Sequence, residues 1–201
     1  MFFSIKNKLI PTLVLFVGLA AFGIGMKCAL GLEWNLGVYD GITLHIALAI
    51  AAQVTSNTVI FFAMRAVAGD WFLDRYRAFC EHFKTQKLAH MIAGGIMAGG
   101  EELVFRGVLL EWLLGVTDPP AAVAVSAVVF GLAHLIPTRQ MAPFLAWAIW
   151  EGAVLGTIYV LTGSMLVLVI VHVLNDSLGF GLMAHQRRTG WMLGLKGSTA
   201  T

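Results

Sequence analysis

Charged residues are scarce in this chain and make up only 12% of its 201 residues. Soluble domains carry about 25% charged residues, so the composition excludes an ordinary soluble fold. The Lys and Arg residues form no stripe interleaved with aromatic side chains, which argues against a nucleic-acid partner. Because 59% of the residues are hydrophobic, we expect an integral membrane protein surrounded by the lipid bilayer.

Cysteine is almost absent, and the two that occur, Cys28 and Cys80, are predicted to lie on opposite sides of the membrane. A disulfide framework is therefore not expected. The N-terminus has the basic start and apolar run of a signal peptide, but the run is long and no small-x-small cleavage site follows it. We expect this segment to remain as the first membrane helix.

Six apolar runs are long enough to cross a bilayer, for which a helix needs about 20 residues. They predict an all-α fold, a polytopic membrane helix bundle of about six transmembrane helices. We assign residues 1–201 to a single membrane domain, 88–184 to the core with the polar motifs, and 185–201 to a cytoplasmic tail. The predicted spans are Leu9–Gly31, Ile42–Val67, Leu88–Leu114, Ala121–Ile136, Pro143–Leu161 and Met165–Ala184.

The connection from Asp70 to Lys87 mixes aromatic and charged residues near helical spacing. It predicts an amphipathic helix in the cytoplasmic interface, with its rings among the lipids, and a plain polar connector is the alternative. Lys and Arg collect before the first span, around the second and fourth connections, and after the last span. By the positive-inside rule both termini are cytoplasmic, and the small size favours a bacterial plasma membrane.

Two adjacent glutamates and an arginine interrupt the third apolar run, in the order Glu101-Glu102-x-x-x-Arg106. Ionisable side chains in hydrocarbon cost at least about 2.5 to 3.5 kcal/mol each, so they mark candidate functional sites. Glu102 and Arg106 share one helix face, where an ion pair lowers the burial cost of both. A pair that only fixes helix register is the alternative. Glu101 points about 100° away, which leaves its carboxylate for chemistry as a general base.

Two histidines stand in later spans, within Phe130-x-x-x-His134 and His172-x-x-Asn175-Asp176. Phe130 lies one turn before His134 and can shield its imidazole from lipid. Asn175 and Asp176 share roughly one helix face with His172, so all three must look into the bundle. Together with the glutamates, these residues predict a polar chamber inside the membrane.

Further ionisable residues lie in or near the spans. Glu111 and His90 stand near helix ends, where reaching the interface is cheap. Glu151 lies deeper, has no partner that the sequence can assign, and is a candidate for lining the same chamber. The small-xxx-small pair of Gly152 and Gly156 predicts close packing between helices.

Read in order, the three motifs resemble those of the CPBP intramembrane proteases, the family that includes the type II CAAX prenyl protease and bacteriocin-processing or self-immunity proteins. The similarity covers Leu88 to Ala184. It implies an intramembrane endopeptidase that acts on a membrane-associated protein or peptide, with Glu101 and His134 activating a water. It also implies that His172 and Asp176 stabilise the oxyanion. Asp176 stands where the family usually has Asn, and Asn175 lies one place earlier, so the donor is Asn175, a protonated Asp176 or neither of them.

The sequence leaves the cofactor open. Glu101, His134 and His172 would provide three ligands and an open position for water, as catalytic zinc sites do. A metal-free site with Glu101 as base uses the same residues, and we favour it slightly. The motifs His-Glu-x-x-His, Gly-x-Ser-x-Gly and Gly-x-Gly-Asp of other membrane proteases are absent.

Two other functions would also retain polar residues in the bundle. A non-catalytic peptide-binding or bacteriocin immunity protein would use them to grip a peptide, and a transporter also needs intramembrane carboxylates. The chain has neither an internal repeat nor paired broken helices, which argues against a transporter. Hydrolysis and mere binding are distinguished by Glu101→Gln, which only a binding protein would tolerate.

Overall fold

The computed structural model describes residues 9–33, 36–81, 88–134 and 142–189, and these fold into six helices without a strand. The predicted all-α membrane helix bundle is confirmed. Each predicted span coincides with one helix, although Ile136, the predicted end of the fourth, lies outside the described residues. The helices are α1 (Leu9–Ala29), α2 (Ile42–Glu81), α3 (Leu88–Val104, continued by the π-helical turn Phe105–Leu110 and by Glu111–Leu114), α4 (Pro119–Ala133), α5 (Ala142–Thr162) and α6 (Met165–Thr189).

Several helices have the length and hydropathy of membrane spans. Large apolar side chains on them stay exposed, such as Val67 at 90% and Leu161 at 78%, which suits contact with acyl chains. Three stretches are long and apolar enough to cross a membrane, Ile42–Cys80, Phe144–Thr162 and Met165–Met183, and two apolar helices are shorter, Val17–Ala29 and Pro119–Ala133.

α2 bends sharply at Gly69, whose φ of 52° and ψ of −132° are not helical. Glycine adopts a positive φ without a steric penalty, so the chain can turn here. The rings of Phe61 and Phe72 lie 5.5 Å apart, whereas in a straight helix the eleven residue steps from one to the other would span about 16 Å. The interfacial-helix prediction therefore needs one correction, because Phe72 is buried against Phe61 and does not face lipid. Residues 82–87 of that segment lie outside the described residues.

The middle of α3 widens into the π-helical turn Phe105–Leu110, directly after the glutamate pair. A π turn disturbs the regular α-helical hydrogen bonds, and such turns are frequent at functional sites. Two of its backbone carbonyls accept hydrogen bonds from other helices. Ser126 Oγ of α4 donates to the Phe105 carbonyl at 3.2 Å, and Lys27 Nζ of α1 donates to the Gly107 carbonyl at 3.0 Å. The wide turn is therefore supported from two sides.

α4 and α5 approach closely because glycines lie between them. A Cβ atom at Gly131 would lie 2.2 Å from Ile149 Cγ1, and one at Gly152 would lie 3.0 Å from the Cα of Ala127. A larger residue at either position would push the helices apart. The small residues bring the α5 backbone within reach of side chains from α3, as the site requires.

The two ends of the described bundle bear on earlier expectations. No disulfide joins Cys28 and Cys80, as predicted. α6 continues to Thr189, so the first residues of the predicted tail are helical, while residues 190–201 lie outside the described part of the chain.

Candidate active site

Glu102 is the centre of a buried group that joins three helices. Its Oε1 accepts a hydrogen bond from Arg106 Nη1 at 2.8 Å, and both side chains are fully buried. The same oxygen accepts a hydrogen bond from His172 Nδ1 of α6 at 2.5 Å. Arg106 Nη2 donates to the Gly152 carbonyl of α5 at 3.0 Å. The expected pair therefore fixes both the packing of α3 and the orientation of the His172 imidazole.

Glu101 lies on another side of α3 and approaches His134 at the end of α4. Glu101 Oε2 is 3.6 Å from His134 Nε2, and the Glu101 carboxyl is largely buried. His134 Nδ1 lies 2.8 Å from the carbonyl of Phe130, which can only accept, so Nδ1 carries a proton. This hydrogen bond turns Nε2 toward Glu101. The carboxylate also lies within electrostatic reach of His172 and Arg106.

The Phe130 ring packs against three ionisable side chains of the site, those of His134, His172 and Arg106. Its ring centroid lies 4.5 Å from that of His134 and 6.1 Å from that of His172. The Arg106 guanidinium lies 4.5 Å from the same centroid, in cation–π geometry. Phe130 is thus more than a shield for His134, because it also holds Arg106 in place.

The α6 motif presents two different polar side chains. Asp176 Oδ1 lies 3.8 Å from His172 Nε2, so it faces the imidazole. Asn175 instead donates to Glu151 Oε1 at 2.5 Å and accepts from Asn57 Nδ2 at 2.6 Å. Asn175 is therefore engaged with neighbouring helices, and Asp176 is the residue that lies beside His172.

Glu151 has partners that sequence reasoning missed. Its Oε1 accepts hydrogen bonds from Asn175 and, at 3.1 Å, from Gln53 of α2. Gln53 and Asn57 lie one turn apart on α2 and both point into the bundle. Two amides one turn apart inside an apolar run could have been noticed as a signal in the sequence.

Comparison with known proteins bears on this arrangement. Residues 84–178 match the family model described as type II CAAX prenyl endopeptidase, Rce1-like. Over these residues, just under half of the chain, the sequence is similar to the CAAX protease family that the motifs predicted. No curated protein and no solved structure matches the chain. The matched segment contains all three polar motifs, and at family level it supports an integral membrane protease with a peptide or protein substrate.

The CAAX protease segment also contains a group of side chains suited to a metal. Within the described ranges, the ligand atoms of Glu151, His172 and Asp176 all lie within 4.8 Å of one another. The set suggested by the sequence was Glu101, His134 and His172, and only His172 is common to both sets. Glu101 and His134 instead pair with each other.

A second polar cluster joins the CAAX protease segment to the first helix. Lys27 Nζ lies 2.6 Å from Glu111 Oε2, and the Lys27 side chain is buried. The Tyr159 hydroxyl donates to Glu111 Oε1. Glu111, expected near an interface, is thus held by partners from α1 and α5, and it lies outside the predicted chamber residues.

Proposed function

We propose that the protein is an intramembrane endopeptidase in which Glu101 and His134 activate a water that hydrolyses a peptide bond. The observation that carries this proposal is the pairing of Glu101 Oε2 with His134 Nε2 at 3.6 Å, beside His172 and inside the bundle. This separation is slightly too long for a direct hydrogen bond, and a water can bridge such groups. The CAAX protease match supports the same reaction class.

The reaction follows from the chemistry of these groups. Glu101 accepts a proton from water, and the resulting hydroxide attacks the carbonyl carbon of the scissile peptide bond. The C–N bond of the tetrahedral intermediate then breaks, and the proton passes from Glu101 to the leaving amine. The Nδ1–H of His134 donates a hydrogen bond to the Phe130 carbonyl, which fixes the imidazole. Its Nε2 then accepts a hydrogen bond from the water and orients it. Water is consumed, and a carboxylic acid and an amine are formed.

The opposite side of the chamber stabilises the oxyanion. The Glu102 carboxylate accepts a hydrogen bond from His172 Nδ1. The Nε2 atom of His172 is therefore directed away from Glu102 and lies beside Asp176. Asn175 is less suited to this role, because its amide already contacts Glu151 and Asn57. A site closed to bulk water makes such electrostatic stabilisation effective. We assign the electrophilic side to His172 and to Asp176 in its protonated form, because an oxyanion is stabilised by hydrogen-bond donors and repelled by an ionised carboxylate.

An apolar cavity of about 440 Å³ lies between α2 and α6 and ends near the chamber. Pockets of about 300 to 1,000 Å³ bind small molecules and cofactors. Asn57 and Asn175 line the cavity and belong to the hydrogen-bond chain that reaches Glu151. The rest of the lining is mainly apolar, including Phe61, Phe62 and Leu178. We assign the cavity to an apolar chain of a membrane-associated protein or peptide, such as a prenyl group.

Filling this cavity is expected to weaken substrate binding without disturbing the chemistry. Gly179 lines the cavity, and a Cβ atom there would meet nothing within 4 Å. We expect Gly179→Leu to raise KM about 10- to 100-fold, as lost apolar contacts do, with little change in kcat. Gly181→Leu is the matched control, since it is equally open on the same helix and does not line the cavity. Equal values of KM and kcat for Gly179→Leu and Gly181→Leu would show that the substrate does not bind in the cavity.

The reaction itself is tested with purified protein in liposomes. The probe is a peptide ending in a farnesylated CAAX sequence, and mass spectrometry detects the released C-terminal fragment. We expect cleavage by the wild type and about 100-fold slower cleavage by His134→Gln, which loses the imidazole that orients the water. Intact peptide after incubation with correctly folded wild-type protein would contradict the proposal for this substrate class.

The placement in the cell is part of the same proposal. We assign residues 1–201 to one membrane domain with its catalytic core at 88–184 and both termini in the cytoplasm, on the strength of the Lys and Arg distribution. His134 follows the last residue of α4, so the chamber would open toward the cytoplasmic half of a bacterial plasma membrane.

A further inference from the structure

One imidazole and two carboxylates that are not part of the Glu101–His134 pair converge inside the bundle. From their geometry we infer that His172, Asp176 and Glu151 bind a divalent transition-metal ion such as Zn²⁺. Glu151 belongs to none of the three sequence motifs, and the structure alone places it beside the other two. One imidazole and two carboxylates leave a coordination position open for water or substrate, as catalytic zinc sites do.

The orientation of His172 is the first support. Metal-binding histidines usually donate their other ring N–H to a carboxylate, which fixes the tautomer and the ring plane. His172 Nδ1 lies 2.5 Å from Glu102 Oε1, and both side chains are buried. Arg106 holds the same carboxylate in place. The imidazole is therefore fixed with Nε2 directed away from Glu102 and toward Asp176.

The spacing of the donor atoms is the second support. Two ligands at about 2.1 Å from a tetrahedral metal lie about 3.4 Å apart. His172 Nε2 and Asp176 Oδ1 are 3.8 Å apart, and all three donors lie within 4.8 Å of one another. Side-chain shifts of at most about 1.4 Å would bring the three donors to these coordination distances. Gln53 and Asn175 both donate to Glu151 Oε1, which leaves Oε2 available for a ligand bond.

The balance of charge is the third and independent support. Four carboxylates lie in this buried region. Among the described residues, the Arg106 guanidinium forms an ion pair with Glu102 and lies within electrostatic reach of Glu101 and Glu151. In their ionised form these four groups carry more negative charge than the Arg106 guanidinium balances. Buried charges without compensation are strongly unfavourable, and a divalent cation would stabilise the ionised form of the carboxylates. The four carboxylates are those of Glu101, Glu102, Glu151 and Asp176.

The ion would act on the electrophilic side of the proposed reaction, where it would replace the hydrogen bonds that His172 and Asp176 donate in the metal-free protein, and only this role rests on the proposed function. When bound, a divalent cation supplies Lewis-acid polarisation of a carbonyl oxygen. Glu101 and His134 remain on the other side of the scissile bond, where they hold the water. The metal site itself is independent of whether the protein cleaves peptides, so binding is measured separately from activity.

The test uses the full-length protein in mild detergent. The protein is stripped with a chelator, dialysed against Zn²⁺ and then against buffer, and its metal content is measured by mass spectrometry. We expect about one Zn²⁺ per chain for the wild type and less than about a tenth for Glu151→Gln and Asp176→Asn. Glu151→Gln keeps the oxygen that accepts from Gln53 and Asn175, so the fold is retained. The control Glu33→Gln changes an exposed carboxylate and should bind as the wild type does.

Thermal unfolding provides a second readout. Zn²⁺ is expected to raise the Tm of the wild type and of Glu33→Gln, and to leave both site variants unchanged. Equal zinc content in the wild type and both site variants would overturn the inference, as would a stripped wild type that binds no Zn²⁺. Full peptide cleavage by stripped protein without zinc binding would overturn the metal site and leave the proposed function standing. Zinc binding lost in both variants, with no peptide cleaved by the wild type, would support the site and refute the function.

Discussion

Replacing Glu101 with Gln is expected to lower kcat about 100- to 10,000-fold while the protein still folds and inserts. Glutamine has nearly the same shape, but its amide cannot accept a proton from water at neutral pH. The Glu102–Arg106–His172 hydrogen bonds do not involve Glu101, so the packing of α3 should survive. The measurement is the rate of fragment release from the CAAX peptide in liposomes.

The control for this variant is Glu33→Gln, the same substitution at an exposed position, which should leave the rate unchanged. Size-exclusion elution and Tm of the two variants verify that both are folded. Cleavage at the wild-type rate by Glu101→Gln would exclude Glu101 as the base. Peptide binding without cleavage by the wild type would favour the non-catalytic binding or immunity protein.

Replacing Arg106 with Leu is expected to lower the free energy of unfolding by about 3 to 5 kcal/mol. The substitution leaves the Glu102 carboxylate buried with its guanidinium partner removed. It also removes the donor to the Gly152 carbonyl and the cation–π contact with Phe130. Because one side chain joins α3, α4 and α5, the loss should affect the whole bundle. Chemical denaturation in detergent micelles, followed by circular dichroism, measures it.

Arg77→Leu is the matched control for this effect. Arg77 pairs with Asp74 at 3.0 Å, but both side chains are partly or largely exposed, at 34% and 61%. Exposed ion pairs contribute about 0 to 1 kcal/mol, so this loss should be small. Similar destabilisation by the two substitutions would show that burial of the Arg106 pair is not what stabilises the fold.

The parts of this molecule that follow local rules could be predicted from sequence. The apolar runs located the six helices, and the beginning of α6 at Met165 agrees with its predicted position to the residue. The spacing of Glu102 and Arg106 predicted their ion pair, because residues four apart on a helix are neighbours. Phe130 and His134 pack together for the same reason.

The parts that depend on distant contacts could not be predicted. The partners of Glu151 include Gln53, which lies 98 residues away and contacts it only after α2 packs on α5. The bend at Gly69 was missed because a single glycine in an apolar run is compatible with a continuous helix. The packing of Phe72 and Tyr76 on Phe61 accompanies the change of direction. The π turn is stabilised by side chains from other helices and leaves no local pattern.

The contact of Lys27 with α3 means that the segment similar to the CAAX proteases receives part of its hydrogen bonding from outside its own bounds. The matched residues begin at 84, yet the Gly107 carbonyl and the Glu111 carboxylate in them accept from a donor on α1. A fragment limited to the matched segment would lack that ammonium group at both acceptors. The first helix carries none of the motifs, yet it supports α3, which contains the glutamate pair.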